Sequence, residues 1–147
     1  MVELVDESKQ RTLLDGLHAE IERMAILIDA PSRLLPQREA ARNSTWLSLA
    51  QHDADDFEDV DGWYLSLIRN EDGHDWELAE VSADEPDYLL YVLFDEITAK
   101  LARAAVPGSE LGDLRAIWFR EQEALLGRLN ATWRARTASR HAQMLSA

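Results

Sequence analysis

The 147-residue chain predicts an α+β fold: an N-terminal helix, a three-stranded antiparallel sheet, then two long helices and a short C-terminal helix packed on the sheet. Three observations predict it. Apolar residues recur at helical spacing before residue 30 and again from about residue 85. Short runs of β-type residues fill only the interval between, and Asn70-Glu71-Asp72-Gly73 supplies a hairpin turn between two of those runs.

Over residues 7–29, Leu14, Leu17, Ile21, Met24 and Ile28 step by 3 and 4, which is one face of an amphipathic helix. Residues 1–12 carry only isolated apolar positions and are expected to be poorly ordered. Ala30-Pro31 ends the helix, because a residue before proline is forced out of the α region. Leu34-Leu35-Pro36 then reads as an apolar loop that tucks against the core.

Residues 45–51, TWLSLAQ, form a strand with Leu47 and Leu49 on one face. Residues 63–69, WYLSLIR, are apolar on both faces, so this strand is central. The intervening HDADDFEDVDG is too long for a tight turn and too charged for a core. After the hairpin turn, where Gly73 is free to take positive φ, residues 74–81 return as a third strand with Trp76 and Leu78 inward and Glu77 outward.

Ser82, Asp84 and Pro86 mark a helix start. The helix over 85–105 carries Leu90, Leu93, Ile97, Leu101 and Ala104 on one face and Leu89, Val92 and Phe94 around it, the breadth of a central helix. Val106-Pro107-Gly108 breaks the chain. A third helix over 111–129 runs through Leu114, Trp118, Leu125 and Leu129, weakened near its end by Gly127. Asn130 caps a last helix over 131–145 with Trp133 and Met144 on its apolar side. There is no internal repeat and no long linker, so residues 1–147 read as one domain.

The absence of cysteine excludes a disulfide framework, thiolate metal sites and thiol nucleophiles. The first dozen residues lack the basic start and apolar stretch of a secretory signal, and the longest apolar run, Tyr88–Phe94, is far too short to span a membrane. A cytoplasmic protein is expected, in which the sequon Asn130-Ala131-Thr132 stays idle.

Charge is distributed unevenly. Residues 53–96 hold 16 acidic side chains against one basic, Arg69, while the other 103 residues hold 12 acidic and 14 basic, so the net of −13 belongs to one segment. Nucleic acid is not the expected partner, since phosphate binding needs clustered Lys and Arg.

The motifs of catalysis are missing. The four histidines, His18, His52, His74 and His141, fall in different elements. An EF-hand loop aligned on Gly62 would put Phe57 and Ile68 at positions that require carboxylates; a different calcium geometry using Asp53, Asp55 and Asp59 stays open. No GxSxG, phosphate-cradling glycine loop or dinucleotide fingerprint occurs. Asp95 and Glu96 are helix neighbours about 100° apart and cannot share a substrate proton. No residue is therefore assigned to catalysis, a cofactor or a metal.

What remains is the acidic region: Asp53, Asp55, Asp56, Glu58, Asp59 and Asp61 around Phe57 in the loop, then Glu71, Asp72 and Asp75 at the next turn. One reading is a solvated face that maintains solubility. The other is a contact surface, because dense like charge opposes folding unless a target of opposite sign repays it. Aromatics among the acids, Phe57 with Trp63 and Trp76, fit the anatomy of a binding hot spot, with core packing the competing role for both tryptophans.

Leu17–Pro36 with its ID-AP-x2-LLP ending, YLLYVLFDEIT over Tyr88–Thr98, and FREQEALLGRL followed by Trp133 and its basic neighbours resemble the immunity protein 63 family of bacterial polymorphic toxin systems, over about residues 13–145. The resemblance implies a cytoplasmic antidote that binds and silences a cognate toxin domain. The middle departs from the family pattern, being longer and strongly acidic where the third strand is usually more basic. That departure would mark the surface suited to this protein's own toxin. Toxins that cut nucleic acid are often basic, and an acidic inhibitor would cover their phosphate-binding surface. Two other readings are a small acidic secretion chaperone, which would return to strands after the central helix, and a small-ligand domain or enzyme, which would show a polar pocket with shifted pKa values.

Overall fold

The leucines that alternate in residues 45–51 and 63–69 do line one face of a sheet. A computed structural model of the chain describes residues 2–51, 63–108 and 114–146. Its elements are α1 (Val2–Leu27), a 3-10 turn (Ser32–Leu34), β1 (Thr45–Gln51), β2 (Trp63–Glu71), β3 (His74–Ser82), α2 (Asp87–Ala105), α3 (Arg115–Leu129) and α4 (Ala131–Ser146). The chain divides into two compact units: Met1–Arg23 with Leu35–Val92, and Met24–Leu34 with Leu93–Ala147.

In the first unit the strands lie in the order β1-β2-β3, both pairs antiparallel, with β2 central as its two apolar faces predict. Leu47 opposes Leu67 and Leu49 opposes Leu65, and all four are buried. Ile21, Leu89, Leu90 and Tyr91 complete the buried apolar set with Ala79. Gln10, half-buried on α1, donates its Nε2 to the carbonyl of Leu49 at 2.7 Å, satisfying an acceptor on the edge strand β1. Helix α1 begins at Val2, five residues earlier than its apolar spacing predicts.

The third strand departs from the simple alternation. Leu67 pairs with Ala79 but Ile68 pairs with Glu77, so Leu78 is an extra residue and the strand is bulged there. The bulge exchanges faces along β3. Ala79 and Val81 oppose Leu67 and Leu65, and Trp76, opposite Arg69, shares that face as expected but is 58% exposed near the hairpin end.

In the second unit, α1 stops in a Schellman-type cap. Asp29 takes φ 54, and the Ala30 amide donates to the Ala25 carbonyl at 2.9 Å before Pro31 intervenes. Asn130 separates α3 from α4 and serves both. Its amide donates to Leu126 O at 2.8 Å, while its Oδ1 accepts from the amides of Thr132 and Trp133 at 2.9 and 3.1 Å. Beyond Leu114 every described element is a helix, the pattern opposite to that of the secretion-chaperone reading.

Two helix faces differ from expectation. On α3 the buried residues are Phe119, Gln122, Leu125 and Leu126, with Leu114 49% exposed and Trp118 only half-buried. The face turns by one residue because Phe119, not the larger Trp118, enters the core; Trp118 packs edge-on to Phe119 and beneath the Arg103 guanidinium. On α4 the buried residues are Trp133, Thr137 and His141, one helical stripe, and Met144 is 41% exposed. Trp133 stacks on Phe94 with centroids 6.2 Å apart.

Candidate functional site

The hairpin between β2 and β3 turns on two residues, Asp72 and Gly73, with φ of 52° and 90°. Positive φ at both central positions is the type I′ geometry, whose twist matches that of the strands it joins. Side chains lace this turn to the segment before β1. Asn70 Oδ1 accepts from the amides of Asn43 (3.1 Å) and Gly73 (3.2 Å), and Asn43 Oδ1 accepts from the amide of Asp72 (2.7 Å). The Asn70 amide donates to Ser44 O at 2.9 Å. Four hydrogen bonds therefore brace the tip against the segment before β1 and across the turn.

On this frame Glu71, Asp72 and Asp75 are all exposed and gathered at one end of the sheet. Asn70 Nδ2 donates to Asp75 Oδ1 at 2.7 Å, and Arg69 lies 3.9 Å from Glu71. Trp76 stands between Asp75 and Glu77 on the edge strand. Glu77 and Glu80, both exposed, share a hydrogen bond, and the Glu77 carboxyl is held above its usual range by lost solvation first and then by the Glu80 charge. β3 thus exposes the acids Asp75, Glu77 and Glu80, while Trp76, paired with Arg69, is exposed on the other face of the sheet from its neighbours Asp75 and Glu77.

Asp53, Asp55, Asp56, Phe57, Glu58, Asp59 and Asp61 lie outside the described residues. The residues that flank their segment do not. Gln51 pairs with Trp63, at the end of β2 opposite the Asp72-Gly73 turn. Eight residue steps separate Trp63 from Glu71, about 27 Å at roughly 3.4 Å per residue. The two acidic runs that adjoin in sequence are therefore attached to opposite ends of one strand.

A second feature belongs to the first unit: a cavity of about 530 Å³ lined by Gln10, Arg11, Leu14, Asp15, His18, Arg38 and Glu39. An ion pair of 2.6 Å between Arg38 and Asp15 crosses it. His18 is buried, and its pKa is lowered by burial first and by Arg38 second, against Glu22 and Asp15. Arg38 and Asp15 neutralise each other, and Gln10 is occupied by the Leu49 carbonyl.

Sequence reasoning missed a polar network in the second unit. Asp95 Oδ1 accepts from Thr137 Oγ1 (2.8 Å), Gln122 Nε2 (3.0 Å) and the Arg140 guanidinium (3.0 Å). Gln122 also donates to the Asp95 carbonyl at 2.8 Å. Glu96 turns away to Lys100 at 3.2 Å, so the neighbouring carboxylates do part as their helical spacing requires. His141 stacks on Phe119, centroids 3.8 Å apart, and meets Glu123 at 2.9 Å. The available signal was Gln122 itself, a polar residue on the 119, 122, 125, 126 face of α3.

The model of immunity protein 63 matches residues 64–143, more than half of the chain. The chain belongs to the immunity protein 63 family. Membership supports an immunity function and a protein partner. The stretch shared with immunity protein 63 takes in β2 from Tyr64, the laced hairpin, α2, α3 and most of α4, and so includes Glu71, Asp72, Asp75 and Trp76. Residues 53–61 precede it, as do the Leu17–Pro36 features. No curated protein and no solved structure matches the chain. No described helix is long and apolar enough to cross a membrane.

Proposed function

We propose that this member of the immunity protein 63 family binds and neutralises a cognate bacterial toxin domain in the cytoplasm, using the acidic hairpin as its contact surface. The observation that carries the reading is the set of exposed acids Glu71, Asp72 and Asp75 on a turn braced by Asn43 and Asn70, with Trp76 58% exposed on the strand that leaves it. An exposed indole beside a charged turn gives an apolar anchor with a polar rim. A preformed loop avoids the entropy that ordering on contact would take. The acidic field draws in a basic toxin surface, raising association toward about 10⁸ M⁻¹s⁻¹ at low salt, and repels wrong partners.

Co-expression with the toxin encoded beside it tests the reading at its base: cells that die equally with and without this protein refute it. The surface is tested by neutralising each acidic cluster alone. Glu71→Gln, Asp72→Asn and Asp75→Asn together should slow association about tenfold at low salt and flatten its salt dependence. A parallel variant at Asp53, Asp55, Asp56, Glu58, Asp59 and Asp61, with Phe57→Ala, reports on the other end of β2. If the hairpin variant binds like wild type while the second variant fails, the contact surface is the 53–61 segment.

A further inference from the structure

An apolar groove of about 300 Å³ runs along α1 in the first unit, walled by Leu13, Leu14 and Leu17 on the helix and by Leu49, Leu65 and Pro86 opposite. Past Leu13 it continues beside Lys9 and Trp63. Leu49 and Leu65 are buried at its floor, and Leu13 on its rim is 44% exposed. Gly16 lines the same groove from the interior of α1, more than ten residues from either end of the helix.

Glycine is the least favourable helix residue after proline, so its presence there calls for a reason. The chain itself offers none. Gly16 does not adopt positive φ, and a Cβ built on it would meet no atom within 4 Å. A mid-helix glycine over open space, beside an apolar groove, leaves room for the close approach of something outside the chain.

We infer that the occupant is a second copy of this chain, its α1 lying antiparallel in the groove so that Leu13 of each copy sits over Gly16 of the other. Charge selects that occupant and that register. Lys9 is four residues before Leu13 and Glu20 four after Gly16, so the alignment that seats Leu13 on Gly16 also sets Lys9 against Glu20, twice by symmetry. Centring the pair on Gly16 would instead oppose Lys9 with Arg23, and a parallel pair would oppose Lys9 with Lys9. Within one copy, among the described residues, Glu20 bonds to Arg23, an exposed bridge one turn away that leaves it able to accept a second cation. The interface uses neither the hairpin nor Trp76.

Sedimentation of the full chain tests this. Wild type at about 100 µM should sediment at twice the chain mass of 16.7 kDa. Gly16→Arg places a long side chain where the backbones meet, at a position where the helix itself gains, and should yield a monomer that unfolds no earlier than wild type diluted until it too is monomeric. Lys9→Glu and Glu20→Lys should each weaken the dimer about tenfold, and the two together should restore it. A monomeric wild type overturns the inference, as does a dimer indifferent to Gly16→Arg. A double charge reversal that fails to restore what each single reversal loses overturns the register.

Discussion

Replacing Asp95 by alanine gives the most direct measure of the network that joins α2, α3 and α4. One carboxylate oxygen accepts three donors, from Thr137, Gln122 and Arg140, at 2.8 to 3.0 Å. The donors are not equal. Thr137 and Gln122 are fully buried, so each loses a charge-assisted bond where water cannot replace it, nominally about 1.5–3 kcal/mol. Gln122 keeps the Asp95 carbonyl at 2.8 Å and so loses less. Arg140 is 45% exposed and contributes under about 1 kcal/mol. The expected loss is about 3 kcal/mol, a fall in Tm of roughly 10 °C for a domain of this size. Urea denaturation is the assay, with the m value checked for constancy between variants. Thr137→Val, made alone and together with Asp95→Ala, should show a coupling of at least about 0.5 kcal/mol. A loss below about 1 kcal/mol for Asp95→Ala, or simple additivity in that cycle, would refute the reasoning.

Asn130→Ala removes the acceptor for two amides at the start of α4 and should cost about 1 kcal/mol by chemical denaturation, with Asn130→Ser recovering most of it. His18 has a folded pKa lowered from its ordinary 6.5, so the unfolded chain binds its proton first; its contribution to stability is fully present above pH 6.5 and is lost as the pH falls through the lower, folded value. His18→Gln should therefore flatten the decline in stability on acidification, measured as the difference from wild type between pH 7 and pH 5. Leu67→Ala, at a side chain with no exposed surface in the sheet core, should lose about 2–5 kcal/mol, whereas Trp76→Ala should change stability by under about 1 kcal/mol while weakening toxin binding.

Much of the architecture was legible because it rests on local chemistry. The 3 and 4 steps of α1, the two apolar faces of β2, the turn residues Asp72-Gly73 and the Asn130 cap act within a few positions of themselves, and each stands where its residue type places it. Charge segregation was likewise a matter of counting. Legibility failed wherever a side chain's role depends on a distant neighbour. Gln122 looks like a surface amide until Asp95, 27 positions away, is brought against it.

The amino-acid sequence by itself determined the order and type of the elements, the family features and the acidity of one segment, since helical and strand periods, caps and turns are short-range properties. Tertiary structure decided which faces those elements show and where Glu71, Asp72 and Asp75 stand. A bulge at Leu78 sets Trp76 opposite Arg69, on the same face as Ala79 and Leu67 but near the hairpin end where it is exposed, because pairing with β2, not alternation alone, sets the register there. The course of β2 then sets Glu71, Asp72 and Asp75 at the end of the sheet opposite Gln51 and Trp63, since a strand separates its termini by its whole length.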